Sequence, residues 1–466
     1  MAFETVCGLE VHTELLTKTK IFCSCTTAFG GEPNSHCCEV CTGMPGTLPV
    51  LNERVLEYAV RCGIALNCEI TNYIKFDRKN YFYPDLPKAY QISQLYLPIC
   101  TNGYVEINDS INGGKKRVRI HEIHMEEDAG KLIHSDGKSL VNYNRAGVPL
   151  LEIVSEPDIS NGTEAAEYTE KLREILMFCG ISDCKMQEGS LRADVNVSVR
   201  RAGEKLGTRT EMKNLSSFRA IKTAVDSEAK RQIALIESGE KVVQQTRRFD
   251  EKSGSSYSMR NKAEANDYKY FPEPDIPPIV ISNEYIASVR SKMPELPDEK
   301  RKKYSSLGLS DYDTQLLCSD IYYASLFEKT LKITALPKVT ANWITGEVMA
   351  LHRKNDVKPD MLAEIILLSE NKKITREAAK ETFSSCIITG EQPTDYVKRN
   401  SLEIIKDESL IKNTVTGIIN ENPKAVEEFR QGKDKALNFL VGQCMRALKG
   451  KASAEEIRAE IIKAIR

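Results

Sequence analysis

The stretch EGSLRADVNVSVR (residues 188–200) alternates apolar and polar side chains. The odd-numbered residues from Leu191 to Val199 are apolar, and the even-numbered ones between them are Arg192, Asp194, Asn196 and Ser198. Because successive side chains of a strand point to opposite faces, this period of two predicts a strand with one face in a core. Its polar face offers short carboxylates and an arginine, groups that hold divalent cations and phosphate oxygens. The stretch therefore predicts a polar cavity on a sheet, suited to metal-assisted phosphoryl chemistry.

Four other strand-like segments carry polar groups in the same way: GLEVHTEL (8–15), FDRKNYFYPD (76–85), HMEEDAGK (124–131) and LLEIVSEPD (150–158). Glu10, His12 and Glu14 are two residues apart, so we expect them on one face of a strand. Glu152 interrupts an aliphatic run, and a buried carboxylate without a partner is costly, so we expect a cation beside it. The same reasoning applies to the polar residues of the fifth segment, Glu188, Arg192 and Asp194.

The totals describe an ordinary globular protein. At 466 residues, with 41% hydrophobic and 28% charged residues, two to four domains are expected. The net charge of −1 requires any contact with nucleic acid to come from a local patch. No apolar run reaches spanning length and the N-terminus lacks a signal peptide pattern, so we expect a cytoplasmic protein with no membrane partner.

The order of predicted elements favours an α+β fold class. Strands are predicted at 148–156, 191–200, 208–213 and 242–249, a hairpin at 103–124, and helices at 163–179, starting from a Thr163 cap, and 216–238. Proline-rich segments at 271–278 and 293–297 mark a boundary, after which the pattern is helical. We predict an α+β domain over residues 1–292, an all-helical domain over 293–399 and a small helical tail over 400–466.

Two close pairs of cysteines, Cys23 with Cys25 and Cys38 with Cys41, flank a turn-rich loop. Thiolates two or three residues apart can share one tetrahedral ion, so the loop 23–41 predicts a structural zinc site, with free thiols as the alternative. The neighbouring Cys37 and His36 leave the ligand set open at this point.

Two further patterns point to nucleic acid. The segments 76–85 and 267–275 mix cations with aromatic rings, which suits stacking on a nucleotide or a tRNA end, although core aromatics beside a salt bridge explain them equally well. In the tail, residues 430–451 carry six basic residues against Asp434 alone, which favours contact with a phosphate backbone. These basic residues are Arg430, Lys433, Lys435, Arg446, Lys449 and Lys451.

Long motifs in a fixed order resemble the B subunit of the tRNA-dependent aspartyl/glutamyl-tRNA amidotransferase, the GatB family. They are the five segments above together with GMPGTLPVLN (43–52), EMKNLSSFRAI (211–221), QTRRFD (245–250), DYKYFPEPDIPP (267–278) and GKDKALNFLVGQCMRALKGKASA (432–454). The resemblance implies a cradle-shaped α+β kinase domain, a helical domain and a helical tail that grips tRNA.

The same resemblance implies an activity and its site. With ATP and Mg²⁺ the chain would phosphorylate the side-chain carboxylate of mischarged Glu-tRNA(Gln) or Asp-tRNA(Asn). Ammonia from an amidase-type A subunit would then displace phosphate, and a small C subunit would complete the heterotrimer. The resemblance puts the Mg²⁺ ligands on His12, Glu126 and Glu152, and it places Glu10, Lys79, Glu188, Arg192 and Asp194 around the nucleotide, with Lys79 and Arg192 binding it.

Two alternatives come from other classes of protein. One is a non-catalytic tRNA-binding scaffold whose carboxylates are structural, which metal-dependent ATP turnover would exclude. The other is a self-sufficient glutamine amidotransferase, which the absence of any G-x-S-x-G or amidase-type nucleophile motif disfavours. The sequence does not separate Glu-tRNA(Gln) from Asp-tRNA(Asn) as the substrate.

Overall fold

The computed structural model describes residues 3–135, 137–261, 268–351, 357–404, 408–448 and 452–465. The chain divides into two compact units, residues 1–297 and 298–466. Within the described residues no helix is both long enough and apolar enough to cross a bilayer.

The first unit is mixed α and β. Its strands are β1 (Phe3–Glu14), β2 (Glu69–Ile70), β3 (Tyr73–Ile74), β4 (Asp77–Asn80), β5 (Tyr90–Ser93), β6 (Cys100–Asn108), β7 (Lys115–Glu127), β8 (Lys131–Ser135), β9 (Lys138–Asn142), β10 (Pro149–Ser155), β11 (Leu191–Arg201), β12 (Thr210–Leu215), β13 (Gln245–Asp250), β14 (Ser255–Asn261), β15 (Phe271–Pro272) and β16 (Ile279–Val280). Its helices are α1 (Glu53–Ala65), α2 (Gly162–Phe178), α3 (Phe218–Glu237) and α4 (Asn283–Ser291).

A nine-stranded sheet organises this unit, in the order β14-β13-β12-β11-β1-β10-β7-β6-β2. All its pairings are antiparallel except that of β12 with β13, so the sheet is mixed. On one face the apolar residues of β11 join a single core with Leu172 of α2 and Ile221 of α3. On the other face Glu10 and His12 of β1, Glu126 of β7, Glu152 of β10, and Arg192 and Asp194 of β11 form a polar surface, at even-numbered positions as the alternation in β1 and β11 predicts.

The predicted elements of this unit are confirmed, with shifts at their ends. The α2 helix is capped by Asn161, whose side chain accepts from the Glu164 amide at 3.0 Å, so the predicted cap at Thr163 is wrong by two residues. Asn161 takes the cap because its backbone is extended and Gly162 is already helical. A side chain at Gly162 would clash with the Lys222 carbonyl of α3, because its Cβ would lie 2.1 Å from that oxygen.

The second unit is helical. Its elements are α5 (Pro297–Ser306), α6 (Asp311–Cys318), α7 (Ile321–Thr334), α8 (Pro337–Trp343) with a π-helical turn (Ile344–Val348), α9 (Pro359–Glu370), α10 (Arg376–Thr389), α11 (Pro393–Arg399), α12 (Glu408–Glu421), α13 (Pro423–Arg430), α14 (Asp434–Ala447) and α15 (Ala454–Ile465). One apolar cluster joins residues 304–397 and a separate one joins residues 411–465. An α+β part followed by a helical part is therefore confirmed, and the three-part division with boundaries after residues 292 and 399 stays a prediction.

Candidate active site

A histidine and two carboxylates from three neighbouring strands meet on the polar face of the sheet. In the strand register His12 of β1 lies opposite Glu152 of β10, and Glu152 lies opposite His124 of β7. His12 Nε2 lies 3.3 Å from Glu152 Oε2 and 3.6 Å from Glu126 Oε1. The structure thus brings the implied magnesium ligands His12, Glu126 and Glu152 together, with one ligand atom of each within 4.8 Å of the others.

His124 belongs to the same cluster, although it is not among the site residues predicted from the sequence. Its Nε2 lies 2.8 Å from Glu152 Oε2, and its side chain is 10% exposed. The signal was present in the sequence, because Glu122, His124 and Glu126 follow the same two-residue alternation.

The charges of this cluster are strongly coupled. Burial opposes protonation of His124, but the carboxylates of Glu152 and Glu122 raise its pKa to about 10. Burial likewise opposes protonation of His12, while Glu152 and Glu126 raise its pKa. Burial and the adjacent Glu152 raise the pKa of Glu126, whereas Glu152 is held well below its ordinary pKa, against the effect of burial, by the two imidazoles. The carboxylates attract positive charge into this largely buried site, which favours the binding of a divalent cation.

Lys79 approaches this cluster from a second, three-stranded sheet in the order β15-β4-β5. That sheet is fixed against the large one because the Ile92 amide of β5 donates to Glu127 Oε1 at 2.9 Å. Burial disfavours the charge of Lys79, but Glu126 and Glu152 raise its pKa. The ammonium of Lys79 therefore stays protonated and brings a positive charge near the cluster.

Arg192 lies opposite His12 in the strand register, on the side away from β10. Its guanidinium donates to both carboxylate oxygens of Asp128, at 2.7 and 3.3 Å. Burial of the nearby Glu14 carboxyl and the repulsion of Asp128 raise the pKa of Glu14 to about 7, while Arg192 acts in the opposite direction. The guanidinium is thus pinned at the edge of the cluster by Asp128, which is not among the predicted site residues.

A second carboxylate group lies one strand further along the same face. Glu10 of β1 is opposite Asp194 of β11, and with Glu211 of β12 they form a group within 4.8 Å. The ammonium of Lys213 contacts Asp194 and lies 3.1 Å from Glu211 Oε1. Glu10 and Asp194 therefore belong to the same polar face as His12, with a lysine among them that was not predicted.

Glu188 is placed differently from its expected position. It lies in the turn before β11, its side chain is 36% exposed, and its carboxylate lies 3.1 Å from the Lys185 ammonium. The alternation that brings Arg192 and Asp194 to the polar face begins only at Leu191, where the strand starts. The geometry gives no support to a role for Glu188 beside the nucleotide.

The four predicted zinc ligands converge. One sulfur each from Cys23, Cys25, Cys38 and Cys41 lies within 4.8 Å of the others. A tetrahedral zinc ion with Zn–S bonds of about 2.3 Å separates its sulfurs by about 3.8 Å, so the donor set and its spacing fit zinc. The thiol of Cys37 instead donates to the Asn34 carbonyl at 3.1 Å, away from the cluster.

The thiols of this cluster differ in acidity. A hydrogen bond from Cys23 lowers the pKa of Cys41 to about 4, and the nearby Lys20 ammonium acts in the same direction. Burial and a hydrogen bond to Cys38 raise the pKa of Cys25 to about 12. One thiolate is thus favoured even without metal, and thiolates are the form that binds metal ions.

Comparison with known proteins identifies the family of this chain. The family model described as the GatB/GatE catalytic domain matches residues 5–287, and the one described as the GatB domain matches residues 325–465. These matches cover most of the chain, which therefore belongs to the GatB family, as the motifs predict. Members of this family are subunits of a glutamine-dependent carbon–nitrogen ligase.

Individual relatives are similar over nearly their full length. The B subunit of the aspartyl/glutamyl-tRNA(Asn/Gln) amidotransferase of Caldicellulosiruptor saccharolyticus is 53% identical, over 98% of this chain and 97% of its own. The protein of the same name from Agathobacter rectalis is 53% identical over 97% of each chain. That from Thermoanaerobacter pseudethanolicus is 52% identical over 98% of each.

Proposed function

We propose that this chain phosphorylates the side-chain carboxylate of Glu-tRNA(Gln), Asp-tRNA(Asn) or both, and that it holds the resulting acyl phosphate while ammonia attacks it. In this proposal an amidase-type A subunit releases the ammonia from glutamine, and a small C subunit completes a heterotrimer. Three relatives whose names specify a tRNA(Asn/Gln) amidotransferase support the substrate class.

The observation that carries the proposal is the convergence of His12, Glu126 and Glu152 on one face of the sheet. These groups come from three strands that are far apart in sequence. An apolar or neutral side chain at each position would cost less free energy on a sheet face than the group that is present. Burying two carboxylates beside each other is costly without a cation. Lys79 and the imidazoles of His12 and His124 offset part of that cost, and a divalent ion would offset more of it, which a tRNA-binding scaffold does not require.

Mg²⁺ fits the donor set, since two carboxylates supply hard oxygens and one imidazole is tolerable beside them. His12, Glu126 and Glu152 would hold the ion, and His124 would orient Glu152 through the contact between its Nε2 and Oε2. Bound there, the ion would neutralise negative charge on the phosphoryl group during its transfer.

The reaction balances without a nucleophile on the protein. An oxygen of the substrate's side-chain carboxylate attacks the γ-phosphorus of ATP, the bond from that phosphorus to the bridging oxygen breaks, and ADP leaves. Ammonia then attacks the acyl carbon, inorganic phosphate leaves with the former carboxylate oxygen, and the nitrogen loses a proton. The chain's own part is to position these groups and to supply positive charge from Lys79 and Arg192.

A cavity of about 240 Å³ beside Glu10 suits the nucleoside of ATP. Its lining combines the apolar residues Val6, Leu9, Val154, Pro157 and Leu206 with the polar residues Ser155, Asn196, Ser198 and Arg209. Glu10 itself lies on the same polar face as His12, and Asn196 donates to Glu10 Oε1 at 2.9 Å. We place the base in this cavity, so that the phosphates extend along β1 towards the metal cluster.

The cysteine loop and the helical tail are proposed to bind zinc and tRNA. The loop 23–41 would hold one structural zinc through Cys23, Cys25, Cys38 and Cys41, leaving no open position for catalysis. The helical tail would contact tRNA through basic residues. On α14, Lys435 and Arg446 are exposed and, with the half-exposed Phe439, lie along one side of the helix. Lys449 and Lys451 lie outside the described residues.

Reconstitution tests the proposal. The chain, combined with its A and C subunits, is supplied with ATP, glutamine and each mischarged tRNA, and the amidated product is measured while Mg²⁺ is varied. Amidation that requires both ATP and Mg²⁺, with phosphate released in equal amount, supports the function. Binding of tRNA without any metal-dependent ATP turnover would favour the scaffold instead.

A further inference from the structure

Lys20 is a fully buried lysine at the edge of the cysteine cluster, with 0% of its surface exposed. Its ammonium lies 3.6 Å from the Cys41 sulfur and 3.4 Å from the Tyr143 carbonyl oxygen, and it donates to both. The backbone places it there, because the Lys20 amide donates to the Cys25 carbonyl at 2.9 Å. The residue is thus held between two members of the cysteine cluster.

Lys20 has no carboxylate partner among the residues that the structure describes. A carboxylate, that of Glu127, lines the same cavity of about 120 Å³ as Lys20, Cys23 and Cys41. Glu127 is already paired with the Lys88 ammonium, whose Nζ lies 2.6 Å from Oε2. A buried ammonium needs a compensating charge, which the neutral Tyr143 carbonyl does not supply and a Cys41 thiolate does.

The cysteine cluster can supply that charge. Four thiolates around one divalent ion carry a net charge of −2, and this excess must be stabilised in a partly buried loop. Hydrogen bonds and charges that act on the ligand atoms stabilise such sites, so an ammonium beside one sulfur lowers the free energy of the loaded site. The buried ammonium of Lys20 needs a negative charge beside it, and the tetrathiolate site needs a positive one.

We propose that Lys20 is the counter-ion of the tetrathiolate zinc site and that it slows the loss of the metal by holding the Cys41 thiolate. This inference rests on the zinc assignment made above. It gives a buried lysine outside the catalytic face a binding role, and it makes metal retention depend on a side chain that is not a ligand.

Zinc release from the reconstituted complex tests the inference. A chromogenic chelator in excess captures the released metal, and the rate is followed for the wild type and for Lys20→Met, which keeps the length of the side chain and removes its charge. We expect release to be about 10- to 100-fold faster in the variant, the range typical for loss of a group that supports metal ligands. Lys18→Met serves as the matched control, because Lys18 is exposed in the same segment, and its release rate should equal that of the wild type.

Two further variants guard against a folding defect. Lys20→Gln keeps an N–H donor without the charge and should release zinc at an intermediate rate, and Lys20→Arg should stay close to the wild type. A folded Lys20→Met or Lys20→Gln protein that releases zinc at the wild-type rate overturns the inference. If the wild type itself contains no zinc, the zinc assignment fails instead, so the two failures are distinguishable.

Discussion

His12 on β1 and Glu152 on β10 are direct partners across an antiparallel ladder, with Nε2 3.3 Å from Oε2. They are 140 residues apart in sequence, and only the sheet brings them together. Glu152 lies between the buried Leu151 and Ile153, and His12 lies between the buried Val11 and Thr13, so the ladder holds both polar side chains to one face. A rigid platform of this kind positions ligands more precisely than a loop does.

Replacing Glu152 with Gln keeps the side-chain volume and removes the charge. We expect amidation of both mischarged tRNAs to fall by about 100-fold or more, because a neutral amide oxygen replaces the negatively charged carboxylate in the site. Basal glutamine hydrolysis by the assembled complex should persist, and added ammonium should not rescue amidation, because the affected step precedes attack by ammonia.

Glu156→Gln is the matched control for this change. Glu156 follows the same strand, is half-exposed and contacts His121 at 2.9 Å, away from the cluster. The Glu156→Gln variant should carry out amidation at the wild-type rate. Wild-type amidation by Glu152→Gln with ammonium supplied would rule out the proposed phosphorylation site.

Replacing His124 with Asn should weaken magnesium binding without abolishing the reaction. Its Nε2 orients Glu152 at 2.8 Å, and removal of such a supporting group costs about 10- to 100-fold in metal affinity. The magnesium concentration that gives half-maximal amidation should therefore rise, with much of the rate recovered at saturation. His121→Asn, three residues earlier on the same strand and 62% exposed, should show the wild-type magnesium curve. Identical curves for both variants would remove His124 from the site.

The adjacent cysteines Cys37 and Cys38 provide a direct test of the zinc ligands. Elemental analysis of the purified protein should give about one zinc per chain for the wild type and for Cys37→Ser, because the Cys37 thiol bonds to the Asn34 carbonyl. Cys38→Ser should lose most of the metal. Equal zinc content in the two variants would contradict the assignment of Cys38.

Charge reversal on α14 tests the predicted contact with tRNA. Lys435→Glu combined with Arg446→Glu should lower tRNA affinity and reduce the slope of log affinity against log salt by about 1 for each phosphate group that is no longer bound. Glutamine hydrolysis should not change. Lys412→Glu combined with Lys424→Glu, at exposed positions of α12 and α13, makes the same change in net charge and serves as the control. An unchanged affinity and salt slope in the double variant would exclude this surface.

Glu164 provides a pH-dependent test of stability away from the site. It is fully buried, and although burial raises its pKa, the Lys116 ammonium and the hydrogen bonds of Ser160 and Ser110 hold that pKa below its ordinary value of 4.5. Its contribution is therefore fully present above pH 4.5 and is lost as the pH falls through the lowered value in the folded state.

Glu164→Gln should therefore lower the free energy of unfolding by about 2 kcal/mol at neutral pH, where a charged hydrogen-bonded partner is removed. The difference from the wild type, measured by denaturant titration, should shrink as the pH falls below 4.5. Glu167→Gln, on the same helix, should show a smaller difference. A difference in the free energy of unfolding that stays constant with pH would show that the ionised form of Glu164 is not what stabilises the fold.

The sequence by itself determined the alternating strands, the paired cysteines of the loop 23–41, the helical second unit and the family. These follow from local physics, because side-chain period, cysteine spacing and cap residues are properties of neighbouring positions. His12 and Glu152 stand out along the chain as polar groups in strand-like segments, whereas Glu126 and Lys79 were selected through the resemblance to the family.

Only the tertiary structure decided which polar residues share a site. Strand register placed His124, Asp128 and Lys213 among the selected residues and left Glu188 in a turn, paired with Lys185. It also buried Lys20 against Cys41, a contact across 21 residues that no period or spacing encodes. Register and packing depend on which surfaces meet in three dimensions, so side chains that neighbour one another there carry no common signal along the chain.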